Sequence, residues 1–510
     1  MNSKNTSILI WALAFFNVTI HLCFYNTLGF HRDELLYFSL GQHLAAGYAS
    51  VPPFTGFIAW IIIHIFGYGL FGVRLLPALL GGIYIVLAAS ITRELKGGSC
   101  AQLLTAAGII VCPFNLRVFY MFQPVCWDIF FWSCIFYLIL RWINTRKDTY
   151  IILTGLTAGI GMMNKYLVAL QLFSIVLVFC FTAYKVIFTR KVLYYAILLF
   201  LLVFLPNLMW QIGNDYPFIT HMHALHDSQL VHVNRISFLT DQLFIGSLGM
   251  VLVIPGLYYL FMKRDLFPYR PLIVSSFLVV ILLFILKGKS YYTIGLFPLW
   301  IACGAVYWEN RLKSLTSRYL IILILVIFTL PLLPMGIPVF RAERLAGYFA
   351  WTTKNLGLAM VTRWESGRYH ALPQDYADML GWDELAIKTA SCYDTIKDKH
   401  AVMIYGENYG QAGAIMVIGK KYGLPEPTCF AESFYYWAPR KLDHEVNTLI
   451  YINDQLGDDV QHLFSDIHIA GRIEDPLARE YGTTIWVCRN PTSSFRLFWE
   501  KRVPQVKSPF

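Results

Sequence analysis

The chain of 510 residues is 57% hydrophobic and only 14% charged, with a mean hydropathy of +0.54, so it carries too few charges to dress a soluble surface and calls for a bilayer as solvent. Its net charge of +10 sits in short clusters between apolar runs rather than in one stripe, which argues against nucleic acid as a partner. The ten cysteines are scattered, with no CxxC and no regular metal-ligand spacing, so no disulfide framework is implied.

Apolar runs of spanning length lie at 7–29, 70–92, 100–113, 124–142, 149–163, 167–184, 192–211, 240–262, 271–286, 294–308 and 319–338. A spanning helix needs about 20 mainly apolar residues, because lipid cannot hydrogen-bond an exposed backbone. The expected fold is therefore an α-helical polytopic membrane protein with about eleven transmembrane helices, the third and fifth of them short. Alternate gaps carry Arg93 and Lys96; Arg141, Arg146 and Lys147; Lys185, Arg190 and Lys191; Lys263, Arg264 and Arg270; and Arg311, Lys313 and Arg318. Those gaps should face the cytoplasm, which puts the N-terminus inside and reads the first run as a retained helix. Segments 30–69, 113–123, 164–166, 212–239 and 287–293 then lie outside, as does everything beyond about 340.

The first outer segment, Phe30–Trp60, reads FHRDELLYFSLGQHLAAGYASVPPFTGFIAW and breaks the apolar pattern at once with His31, Arg32, Asp33 and Glu34. As a plain helix start, Asp33 and Glu34 would complement the macrodipole while Tyr37, Leu40 and Leu44 face lipid. As chemistry, Asp33 and Glu34 are the candidate catalytic acids: a carboxylate just above the hydrocarbon can take a proton from an attacking hydroxyl, or hold a metal that does. Val51-Pro52-Pro53 enforces an extended turn that brings the chain back over the membrane.

Further along, Asp128 falls at the outer start of the fourth predicted span, where a carboxylate is costly and usually faces a cavity. Lys165 sits between two short spans, where it meets either a ligand or an acid. The stretch bearing His221, His223, His226 and Asp227, with His232 just beyond, has helical i,i+3 and i,i+4 spacing from His223 but no HExxH pattern; with Asp33, His223 and Asp227 are the weak candidates for a divalent metal ion. Lys287 and Lys289, followed by Tyr291 and Tyr292, close an apolar run on the side where lysines are disfavoured, and they have no acidic neighbour in sequence.

From Arg341 charges become frequent and no run is long enough to span. β-rich stretches Ala401–Tyr405, Thr448–Ile452 and Thr484–Cys488 alternate with helical patterns such as Tyr376–Thr389, and Gly410–Tyr422 follows the first strand as in a βα unit. Two domains are expected: 1–340 in the membrane and 341–510 as a soluble α/β domain outside it.

The order of these motifs resembles the GT-C glycosyltransferases, and within them glycosyltransferase family 39. That group holds the dolichyl-phosphate-mannose protein mannosyltransferase type, the lipid A aminoarabinose transferase type and many bacterial relatives. The resemblance rests on the acidic pair after the first helix with its later Gly-Tyr and Pro-Pro, and on Gln123-Pro124 with Trp127-Asp128 and Phe131-Trp132. Asn164-Lys165-Tyr166, Leu205-Pro206-Asn207 with Trp210-Gln211, and Lys287-Gly-Lys-Ser-Tyr-Tyr292 before Phe297-Pro298 agree with it. In the tail, Glu407-Asn408-Tyr409-Gly410 with Ala412-Gly413-Ala414 and Gly423-Leu424-Pro425 resemble the outer domain of the bacterial branch. One departure is Val51 before the proline pair, where relatives often have histidine, so no role for that histidine carries over.

The resemblance implies a sugar moved from a polyprenyl-phosphate carrier to an acceptor hydroxyl on the extracytoplasmic side, with inversion and no nucleotide. Membrane lipid and a glycan, lipid or protein acceptor are the partners it implies, and a bacterial inner membrane is the expected location. Lys287 and Lys289, with the Tyr291 and Tyr292 hydroxyls, would stabilise the leaving phosphate, Asp128 would hold sugar or acceptor, and Lys165 would meet phosphate or an acid. The rivals are a transporter or flippase of lipid-linked sugars, which should carry its charges near the midplane in broken helices, and a polysaccharide polymerase or ligase.

Overall fold

Every apolar run expected to span folds as helix in the computed structural model, which describes residues 3–228 and 230–506. Among those residues seven helices are long and apolar enough to cross a membrane: Lys4–Cys23, Leu70–Glu94, Pro124–Thr145, Lys191–Gly213, Arg235–Met262, Leu266–Ile285 and Thr316–Gly336. Val168–Cys180 and Ala183–Thr189 make an eighth if the pair, bent by 109°, is one span. The remaining three runs fold as the shorter helices Ser99–Ile110, Thr149–Asn164 and Phe297–Arg311. Their ends are cut by local chemistry: Pro113 begins a separate short helix, Lys165 turns into extended backbone, and Ser290–Leu296 winds as 3-10 helix ahead of Pro298.

Large apolar side chains such as Phe15, Leu202, Tyr258 and Phe328 are more than half exposed on these helices, a surface that only lipid can cover. The chain is an integral membrane protein. Phe297–Arg311 is the inverse case, buried from Phe297 through Val306 because other helices surround it. Its contact with Met250–Met262 relies on missing side chains: a Cβ on Gly304 would sit 1.9 Å from the Leu252 carbonyl oxygen, and one on Gly256 would sit 2.2 Å from the Gly304 nitrogen. Backbones at that distance gain packing where the hydrophobic effect gives no help.

Beyond Arg341 the four strands β1 (Val402–Gly406), β2 (Thr448–Asn453), β3 (Phe464–Arg472) and β4 (Thr484–Pro491) form one sheet in the order β1-β2-β4-β3. β1 and β2 are parallel, linked through the helix Tyr409–Val417, and the other pairings are antiparallel. The helical pattern expected at Tyr376–Thr389 divides into Gln374–Ala377 and Trp382–Thr395, with Gly381 between them at φ +86°, a conformation that suits glycine.

The first-loop helix, Arg32–Gln42, is buried from Glu34 through Gly41. Tyr37 and Leu40 therefore do not face lipid, as a plain amphipathic helix would require; they join the apolar core made with the tail. The seam is stitched by backbone: Gly29 N–H donates to the Met379 carbonyl at 3.2 Å, Arg32 N–H to Asp378 at 2.9 Å, and Ala49 N–H to the Ser433 hydroxyl at 3.0 Å. A side chain on Gly413 would come within 2.8 Å of Leu35 Cβ, so the tail helix lies directly on the loop helix.

Candidate active site

His31 caps the first-loop helix in the place usually held by Ser, Thr, Asp or Asn. Its Nδ1 accepts from Asp33 N–H at 3.1 Å, and Glu34 Oε2 reaches back to accept from His31 N–H at 2.8 Å. Glu34 is fully buried; its Oε1 takes the Arg74 guanidinium and the Phe122 N–H, the latter at 2.8 Å. Arg74 in turn donates to the carbonyls of Gly29 at 2.9 Å and Tyr120 at 3.2 Å. Both Glu34 oxygens are thus spent on protein partners, which anchor the loop.

Asp33, one residue earlier, points the other way in character. Its side chain is 33% exposed; Oδ1 accepts from the Tyr409 hydroxyl at 2.9 Å and Oδ2 from Gln123 Nε2 at 3.2 Å. Tyr409 opens the tail helix Tyr409–Val417 and lies under the Arg32 guanidinium, 4.3 Å from the ring centroid. Burial and the charge of Asp33 hold the Tyr409 pKa well above the ordinary phenol value, so it stays a neutral donor. The Asn408 cap and Gln411 both bond Glu480, fixing the start of that helix.

Lys289 comes to the same place. Its ammonium donates to Glu365 of the tail at 2.8 Å and lies within electrostatic reach of Asp33. Burial alone would lower its pKa, but Glu365, Tyr292 and Asp33 together raise it, so it remains charged. Tyr291 and Tyr292 stand edge to face, 4.7 Å between centroids, and the Lys165 Nζ rests over both rings, 4.3 Å from Tyr292 and 5.7 Å from Tyr291. Burial holds the Lys165 pKa below the ordinary amine range, with Asp128 opposing that shift. Asp128 is 2% exposed, with Oδ1 lacking a hydrogen-bond partner, and Lys165 is the charge that acts on it.

Five of the expected site residues beside Asp33 therefore converge: Asp128, Lys165, Lys289, Tyr291 and Tyr292. Lys287 does not join them. At φ +54° its side chain turns to the Val231 carbonyl at 3.3 Å. The histidine stretch folds as the helix Pro217–Ser228, but Asp227 pairs with exposed His226 at 3.0 Å, and Asp33 is committed to Tyr409 and Gln123. Among the described residues no three His, Cys, Asp or Glu side chains form a group that could hold a metal, so Asp33, His223 and Asp227 do not make a ligand set. Sequence reading assigned no role to Tyr409, Gln123, Glu365 or Glu432, although Gln123 and Tyr409 stand inside motifs that carried the resemblance.

The protein is a membrane helical bundle whose acidic first loop is roofed by a small α/β tail. A family model described as dolichyl-phosphate-mannose-protein mannosyltransferase matches residues 50–210. The lipopolysaccharide core galacturonosyltransferase RgtA of Rhizobium johnstonii is 26% identical over 174 residues, 33% of this chain; the chain aligns with about a third (34%) of that relative's length. ArnT from Cupriavidus metallidurans bound to undecaprenyl phosphate superposes with a TM-score of 0.64 at 14% identity, over 95% of this chain and 98% of that one. ArnT in the apo state gives 0.60 at 14% identity over the same shares. The chain shares the ArnT fold, of GT-C type, over nearly its whole length.

Proposed function

We propose that the protein is a membrane glycosyltransferase that moves a sugar from a polyprenyl-phosphate carrier to an acceptor hydroxyl, with inversion, at the extracytoplasmic face of a bacterial inner membrane. The observation that carries this reading is the meeting of Asp33 with Lys289 and Lys165 at one end of the bundle, although they lie more than a hundred residues apart in sequence. Asp33 takes the proton from the acceptor hydroxyl as its oxygen attacks the anomeric carbon. The bond from that carbon to the phosphate oxygen breaks, and the electron pair leaves with the polyprenyl phosphate. Negative charge grows on the phosphate in the transition state, where the ammonium groups of Lys165 and Lys289 and the Tyr291 and Tyr292 hydroxyls stabilise it more than in the ground state. Tyr409 and Gln123 orient Asp33 through the bonds they donate to it. Asp128 keeps Lys165 in place and leaves one oxygen for substrate.

A flippase would carry its charged groups near mid-membrane, whereas these gather at the junction of loop and tail. The deciding experiment is release of polyprenyl phosphate from a radiolabelled polyprenyl-phosphate sugar by the purified protein. Acceptor-dependent release supports the transferase; vesicle translocation of the intact donor without release supports the flippase.

A further inference from the structure

Glu432 is a buried carboxyl of this region that the mechanism above leaves unused and, unlike Glu365, Asp375 and Asp378, it has no ion-pair partner among the described residues. It lies in the tail at the start of the 3-10 turn Glu432–Tyr436, with φ +55°, a conformation uncommon for a residue other than glycine. It is 9% exposed, and its Oε2 has no hydrogen-bond partner. A buried carboxyl oxygen left without a donor is costly unless something else supplies one. The Ser50 hydroxyl serves the carboxyl from the first loop, and the charges of Asp33 and Arg32 act on it. Burial, reinforced by Asp33, pushes its pKa up to about 7.

The turn is held against the first loop and the membrane helix Lys191–Gly213. Ser433 takes the Ala49 N–H, Trp437 stacks on His43 with 4.1 Å between centroids, and Tyr436 meets Trp210 at 5.9 Å. The strained backbone is therefore kept where it is by neighbours rather than by Glu432 itself. Asp33 is the link between the two sets of charges: it acts electrostatically on both Lys289 and Glu432. A carboxylate repels a phosphate, so the phosphate belongs with the lysines and the remainder of the donor with Glu432.

Resting on the transferase reading, we propose that Glu432 is a specificity-determining residue whose unpartnered Oε2 accepts a hydrogen bond from a hydroxyl of the sugar being transferred. The tail domain thereby reads the sugar while the membrane domain holds the phosphate.

The test compares affinity for bare undecaprenyl phosphate with affinity for undecaprenyl phosphate carrying mannose, glucose, galactose or galacturonate, using whichever sugar the wild-type protein binds best. Glu432→Met keeps the volume and removes the acceptor; Glu432→Gln keeps the shape and guards against a folding defect. Bare-carrier affinity is expected to stay within about twofold of wild type in both, while the gain from the sugar drops about tenfold in the Met variant and less in the Gln variant. Thermal stability of the Met variant is expected to equal or exceed wild type, because an unsatisfied carboxyl has gone. An unchanged sugar-dependent gain in both variants overturns the proposal, as does an effect confined to the KM of the acceptor or an equal loss of bare-carrier affinity. Failure of the wild-type protein to bind bare undecaprenyl phosphate would instead overturn the transferase reading beneath it.

Discussion

The two ends of the helical bundle treat their charges in opposite ways. At the end far from the tail, Glu94 accepts from Arg141 at 2.9 Å and from Asn144 at 2.9 Å, Arg141 also bonds Tyr150, and Tyr269 donates to Asn144 at 2.7 Å. Glu309 caps the helix Ser99–Ile110 by accepting from the N–H groups of Gly98, Cys100 and Ala101. At the tail end, beside paired groups such as Glu34 with Arg74 and Lys289 with Glu365, Arg32 Nε, Asp128 Oδ1 and Glu432 Oε2 are buried without a hydrogen-bond partner. A satisfied polar network rigidifies a membrane protein, whereas unsatisfied buried charge destabilises it and is kept where a ligand completes it. On the proposed reading, one end is chiefly structural and the other carries the chemistry.

Substitutions break or sharpen that contrast in order of size. Asp33→Asn keeps the bond from Tyr409 but cannot take a proton, so kcat for sugar release is expected to fall by about 10²–10⁴ with little change in donor affinity. Wild-type kcat in that variant would remove Asp33 as the base. Next comes Lys165→Met combined with Lys289→Met, expected to weaken binding of bare polyprenyl phosphate by about 10–100-fold, as loss of charged hydrogen bonds does. Titration offers a finer version. Because burial holds the Lys165 pKa below the ordinary amine value, its charge is present at neutral pH and lost as pH rises, earlier than for an exposed lysine near about 10.4. Carrier affinity should therefore decline on the alkaline side, and Lys165→Arg should abolish that part of the decline; a flat profile in the wild type would exclude Lys165 from the phosphate. Tyr409→Phe removes one neutral donor from Asp33 and should lower kcat by about tenfold, with donor affinity unchanged.

Much of this was legible in the sequence, for reasons tied to the solvent. Lipid demands continuous apolarity, so the helical runs declared themselves, and a charge at the membrane edge is expensive enough that Asp33, Asp128, Lys165 and Lys289 stood out. The different surroundings of Asp33 and Glu34 were not legible because adjacent carboxylates look alike in sequence; Arg74, inside the next apolar run, was the available signal of a buried partner for Glu34. Lys287 and Lys289 were inseparable without the backbone turn at Lys287. Glu365, Tyr409 and Glu432 reach the site from the tail, hundreds of residues from Asp33, through a packing that no local periodicity encodes.

The far end supplies the smallest and most diagnostic expectation. Glu94→Gln removes the charge that Arg141 pairs with but keeps the shape and one amide oxygen, so the Asn144 and Tyr269 bonds around it are largely preserved. Arg141 is 29% exposed on its side chain and can recover part of its solvation, so the stability loss should be about 1–3 kcal/mol, read as a lowered melting temperature in detergent. The catalytic constants should stay within about twofold of wild type, because the helix Pro124–Thr145 carries Asp128 near one end and Arg141 about 20 Å further along its axis. A selective loss of kcat in Glu94→Gln at full folded yield would mean that the two ends are coupled through that helix, and the division of labour between them would have to be abandoned.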